Sequence, residues 1–159
     1  DPETNESYVP YVVETSIGLD RMFLAMLSNA YTEENVPDAE GKDSTRVVLK
    51  FHPALAPVKC AILPLLKNND DLTAMARDIF DDLKYSFLCQ YDEKDAIGRR
   101  YRRQDAIGTP YCVTVDHQSL EDQTITIRER DTMHQERIHI SKVKDLVEQR
   151  IAFRSLFGN

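Results

Sequence analysis

The alternation between Val58 and Val115 constrains the fold more than any other stretch. Val58–Leu63 is an apolar run of strand length, as expected of a strand covered on both faces. Asn69, Asp70 and Asp71 then offer helix N-caps. Leu72, Met75, Ala76, Ile79, Phe80 and Leu83 recur on one helical face, with the helix ending near Lys84. Phe87–Tyr91 reads as a second buried strand. In Asp95–Asp116, a basic helix carrying Arg99, Arg100, Arg102 and Arg103 is delivered into the β-rich run Tyr111–Val115. Gly108 stops that helix, because glycine takes the left-handed conformation without strain, and Pro110 blocks a restart. A β-α-β-α-β order predicts parallel strands joined by crossover helices.

The last third changes pattern. Ile125 and Ile127 alternate with Thr124, Thr126 and Arg128, and Ile138 and Ile140 alternate with Arg137 and His139. Such alternation predicts half-exposed antiparallel strands, joined by a turn at Asp131–Thr132. Ser141 is placed to cap a final helix with Val143, Leu146, Val147 and Ile151 on its inner side. The predicted fold is α/β: a mixed five-stranded sheet in the order β-α-β-α-β-β-β-α, flanked by helices.

The first third reads as a separate piece. Ser7–Thr15 is rich in β-formers, Ser16-Ile17-Gly18 makes a turn, and Leu19–Ala30 is a helix apolar on nearly all sides. A helix of that kind requires cover from several directions, which leads to the expectation that the chain is part of something longer. Thr32–Thr45 is acidic and polar, with Pro37 and Gly41, and is expected to be a mobile connection or insertion. Arg46–Phe51 is a further strand. The proline-bounded link His52–Pro57 divides residues 1–51 from a second unit over 52–159.

Composition excludes several classes. The net charge of −7 argues against broad, non-specific nucleic-acid binding while leaving room for a local basic site. The opening DPETNESY lacks a signal-peptide pattern, and no apolar run is long enough to span a bilayer. Cys60, Cys89 and Cys112 are far apart and lie in apolar runs, as buried reduced thiols of a cytoplasmic protein do. The four histidines lack metal spacing, and no metal site is expected. The absence of any nucleophile–base pair argues against a generic small α/β enzyme. The arginines of Arg99–Arg103 have two readings: a solvated helix face, or a surface that contacts phosphates or bases.

One further junction carries chemistry. Glu14, Ser16, Gly18 and Arg21 fall together where a strand passes through a glycine turn into a helix. An arginine beside a helix N-terminus suits a triphosphate, and a carboxylate there can pair with an ammonium group. The stretch YVVETSIGLDRMFLAML resembles motif 3 of the class II aminoacyl-tRNA synthetases, in detail that of the dimeric glycyl-tRNA synthetases. HPALAPVK with AILPL, and GRRYRRQDAIGTPYCVTVD, are similar to the class IIa anticodon-binding domain. Thr15 stands where the family pattern has proline.

The resemblance implies that residues 1–51 end a catalytic domain, with 32–45 as an acidic connection, and that 52–159 form an anticodon-binding domain. It implies Arg21 on the ATP phosphates, with Mg2+ accompanying the ATP, and Glu14, Ser16 and Gly18 at the glycine substrate. The whole enzyme would be a cytoplasmic homodimer that joins glycine to tRNA(Gly). This chain would mainly read the anticodon, would be inactive by itself, and would bind no cofactor in its second unit. The other reading is a stand-alone anticodon-binding module or accessory subunit. Glycine anticodons share two cytosines, and an acid and an arginine together can read a cytosine edge. Arg128, expected on an outward strand face, is the candidate arginine. Glu121 and Asp122, expected in the preceding loop, are the candidate acids, and Arg102 and Arg103 are candidates for phosphates or a base.

Overall fold

The computed structural model describes residues 1–37, 41 and 43–157. Five strands form one mixed sheet: β3 (Cys60–Pro64), β4 (Cys89–Tyr91), β5 (Tyr111–Val115), β6 (Thr124–Glu129) and β7 (Gln135–His139). Their spatial order is β4-β3-β5-β6-β7, with β3 parallel to β4 and β5, and β6 antiparallel to both β5 and β7. The predicted mixed sheet is therefore present, strand for strand.

The helices fall on two faces. α2 (Asp70–Leu83) and α5 (Val143–Ile151) close the main core, where Leu72, Ala76, Ile79, Val143 and Val147 pack on Ile62, Val113, Ile125 and Ile127. Asn69 caps α2 by accepting from the Leu72 amide at 3.1 Å. α3 (Ile97–Ile107) lies on the opposite face, setting Ile97 and Tyr101 against Ala61, Leu63 and Cys112. Gly108 ends α3 at φ +83°, and a Cβ there would sit 2.7 Å from Phe51 Cδ2 and 2.9 Å from the Leu49 carbonyl. Glycine is needed at this position for its backbone angle and for its size.

Four expectations are corrected. The acidic stretch is no free connection: β1 (Tyr31–Pro37) and β2 (Asp43–Leu49) pair as an antiparallel hairpin from Tyr31↔Leu49 to Pro37↔Asp43. Residues 38–40 and 42 of that stretch lie outside the described residues. Ser7–Thr15 is not a strand but chain without regular secondary structure, with Tyr11 and Val13 fully exposed, because no strand among the described residues pairs with it. Between β5 and β6 the chain forms α4 (His117–Asp122) rather than a loop. Asp116 accepts from the Ser119 amide at 3.1 Å while Ser119 Oγ accepts from the Asp116 amide at 3.0 Å, a reciprocal cap. Finally, Ser141 does not cap α5. It belongs to a short 3-10 turn, Ile140–Lys142, in which the Ser141 amide is held by His139 Nδ1 at 3.3 Å.

α1 (Leu19–Ala30) forms as predicted, yet only its end is anchored: Ala30 is buried with Phe51 and Ala56, and Leu27 packs beside them. Leu19, Phe23 and Leu24 are exposed.

Candidate nucleic-acid interface

The face of the sheet that carries α3 is only half covered. α3 lies over β3 and β5 and reaches Arg128 near the end of β6, leaving β7 and the Thr124–Thr126 part of β6 less covered. Gln135, Arg137 and His139 are exposed along β7, while Glu136 and Ile138 turn inward. The register sets Thr114, Thr126 and Arg137 in one row across β5, β6 and β7, and pairs Thr124 with His139. Tyr101 borders this surface from α3, its hydroxyl sharing a 2.6 Å hydrogen bond with Thr114 Oγ1.

A relay of polar contacts crosses the open face at its α4 end. Arg137 Nη1 donates to Thr124 Oγ1 at 2.8 Å, and Arg137 Nη2 pairs with the Asp116 carboxylate. Thr124 Oγ1 donates in turn to Asp122 at 2.6 Å, and Gln118 donates to Asp122 at 2.9 Å. The hydrogen bonds from Thr124 and Gln118 hold the Asp122 carboxyl below its ordinary pKa, so it is an acceptor at neutral pH. An acid, Asp122, and an arginine thus share one exposed surface, and the arginine there is Arg137. Its inclusion in the alternation of β7 was visible in the sequence; its pairing with Asp116 was not.

Arg128 is not on an outward, solvated position. It is 5% exposed, and its guanidinium is clamped on Asp105 through Nη1–Oδ1 at 2.9 Å and Nη2–Oδ2 at 3.1 Å. It also lies over the Tyr101 ring at 4.8 Å. Alternation placed it correctly on the α3 face, but α3 turns Asp105 toward it. Burial opposes its charge; the hydrogen bonds and charge of Asp105 outweigh burial and raise its pKa above the ordinary arginine value. Asp105 also accepts from Arg46 Nε at 2.9 Å, and Arg46 Nη1 reaches Glu34 at 3.0 Å. The hairpin is thereby bound to α3 through the buried Arg46–Asp105 pair.

The arginines of α3 divide among separate tasks, since each residue turns the helix by about 100°. Arg100 is buried and donates to the carbonyls of Asp95 and Pro64. Arg103 is half-exposed and holds Asp92 at 2.8 Å and Asp95 at 2.7 Å. Arg99 is exposed, and Arg102 is half-buried with a covered Nη1 that has no hydrogen-bond partner among the described residues. The structure does not bring Arg102 and Arg103 into one cluster with Asp122. Glu121 stands exposed on α4 instead of in a loop.

At the other end of the chain, Glu14, Ser16 and Gly18 precede α1 in exposed chain without regular secondary structure, and Arg21 is exposed in its first turn. The atoms nearest to a Cβ built on Gly18 are those of the Arg21 side chain, at 3.9 Å. Among the described residues, no helix is long and apolar enough to cross a membrane.

The chain belongs to the family described as the anticodon binding domain, which matches residues 59–150. Its relatives include the glycine–tRNA ligase of Thermobifida fusca, 51% identical over 152 residues, covering 96% of this chain and 33% of that protein. The glycine–tRNA ligase of Staphylococcus haemolyticus is 52% identical over 153 residues, covering 96% of this chain and 32% of that protein. The chain therefore spans about a third of the length of the curated relatives it matches. In fold it is similar to the prolyl-tRNA synthetase of Cryptosporidium parvum complexed with L-proline and AMP. That match has a TM-score of 0.59 at 22% identity and covers 69% of this chain and 24% of the other.

Proposed function

We propose that this chain supplies the anticodon-reading part of a glycine–tRNA ligase, with tRNA(Gly) as its macromolecular partner. The observation that carries the proposal is the identity of about half to glycine–tRNA ligases along 96% of the chain. The open face of β6 and β7 supports the same reading. A cytosine offers its N4 amine to an acid and its O2 and N3 to an arginine. Asp122, with Glu121 beside it, serves as acceptor. Arg137 retains donors beyond those given to Thr124 and Asp116, because a guanidinium has five. Arg128, locked on Asp105, acts by holding Tyr101 and the strand surface in place. Arg99 and Arg102 contact phosphates, and Arg103 orders the loop before α3.

The segment 1–51 would complete a catalytic domain supplied by the rest of a ligase. The bare backbone at Gly18 leaves room for an anion beside Arg21, consistent with ATP phosphates accompanied by Mg2+. Glu14 and Ser16 would meet the ammonium and carboxylate ends of glycine. The whole enzyme would activate glycine with ATP as a cytoplasmic homodimer, and the exposed side of α1 would be covered there. This chain alone makes no glycyl-adenylate, which an ATP–pyrophosphate exchange assay checks.

The deciding experiment is binding of the chain to a glycine tRNA anticodon stem-loop, against one with both shared cytosines replaced, at fixed salt. A preference for the cytosines, lost in Arg137→Ala, supports the assignment. Equal binding to both loops refutes anticodon reading by this chain.

A further inference from the structure

The face of the sheet opposite the open strands carries a groove of about 750 Å³ between α2, α4 and the start of α5. Its floor is apolar: Met75, Ile79, Leu83, Leu120, Ile140 and Val143. Ala74, a small residue in the exposed flank of α2, keeps the groove open. Four carboxylates rim it, Asp71, Asp78, Asp82 and Asp145, against the single ammonium of Lys144. All four acids are exposed, and none enters an ion pair among the described residues. By contrast Asp81, which does not line the groove, pairs with Lys84.

We infer that this groove docks a basic amphipathic helix of another polypeptide. An apolar floor fits the apolar stripe of such a helix, and an unneutralised acidic rim fits lysines or arginines along its borders. Asp71, Asp78 and Asp82 fall at i, i+7 and i+11 on α2, a stripe about 16 Å long, or three helical turns. Those intervals, about two turns and then about one, match bases spaced alike along a partner helix packed alongside. Because the groove and the open β6–β7 surface lie on opposite faces of the sheet, a docked helix leaves that surface free.

The test uses a labelled synthetic peptide with leucines at i, i+3, i+4 and i+7 and lysines elsewhere, titrated into the full chain. A scrambled peptide of the same composition is the control. The docking groove predicts amide shift changes confined to α2, α4 and the 140–145 region, and weaker binding by the scramble. The double variant Asp78→Lys with Asp82→Lys is expected to weaken binding by roughly tenfold or more, whereas Glu3→Lys with Glu6→Lys, charge-matched and remote, changes it little. Ala74→Phe, which fills the groove without changing charge, is expected to weaken it as well. Equal loss in both charge variants, or equal binding of the scramble, would show general attraction to an acidic chain and overturn the inference. Concentration-dependent self-association abolished by Ala74→Phe would overturn it too, by making a second copy the occupant.

Discussion

Asp105 grips Arg128 with both carboxylate oxygens, at 2.9 and 3.1 Å, inside the protein where Asp105 is fully buried. The same carboxylate takes Arg46 from the hairpin at 2.9 Å. One acid on α3 therefore ties together a strand of the sheet, the helix over it, and the β1–β2 hairpin. Two buried guanidinium groups depend on it.

Replacing Asp105 leaves those charges without their partner. Asp105→Asn is expected to cost about 3–5 kcal/mol of stability, the usual loss on breaking a buried ion pair from one side. Urea denaturation measures it. A loss near zero would show that water reaches Arg46 and Arg128 in the variant.

Gly108 and Gly98 make opposite predictions. Gly108→Ala is expected to lose about 2–4 kcal/mol, from the left-handed backbone and the clash with Phe51 and Leu49. Gly98 lies in α3, where a Cβ would meet nothing within 4 Å, and Gly98→Ala is expected to gain up to about 1 kcal/mol from helix propensity. Thermal melts of the two variants should shift in opposite directions.

Arg137 and Arg128 separate binding from folding. Arg137→Ala is expected to change stability by about 1 kcal/mol or less, because its pairs are accessible to water. It should weaken binding of the cytosine-bearing anticodon loop by about 1–3 kcal/mol. Arg128→Ala should lower stability first, and its melting curve will show that before any binding assay does.

The three thiols are protected by burial. Burial pushes the Cys60 thiol well above its ordinary value, and Cys89 and Cys112 up to about 12. For a thiol, a raised folded pKa means that ionisation favours the unfolded chain: stability is unaffected below the unfolded value near 9 and falls as pH rises from there toward 12. At pH 8 the native chain is expected to resist iodoacetamide, and urea-unfolded chain to react at all three cysteines. Mass spectrometry counts the adducts.

The start of the chain has little to protect its amides. Residues 7–18 are exposed, and α1 buries only Ala30. Hydrogen exchange in a dilute monomer should be near the unprotected rate from Ser7 through most of α1, with protection appearing at Lys50, whose amide donates to the Ala30 carbonyl at 2.7 Å.

The sheet was legible in the sequence because each strand declares itself locally. Cys60–Leu63 and Tyr111–Val115 are buried on both faces, and 124–130 alternates. The arrest of α3 at Gly108 was equally local. α4 was missed because six residues leave no periodicity, although Asp116 with Ser119 three residues later is a capping signal. The hairpin was missed because Glu33, Glu34 and Asn35 are poor strand formers, held in place by pairing with Thr45, Arg46 and Val47.

The candidate site divides in the same way. Sequence alternation by itself put Arg128 and Arg137 on the same sides of their strands as Thr126. Only the tertiary structure decided which of them reaches solvent. Asp105 lies 23 residues from Arg128 and 59 from Arg46, and its turn toward both depends on how α3 settles on β3 and β5. Local periodicity sets the face of an element. Burial of a charge depends on what the rest of the chain lays over that face, and that is a property of the packed whole.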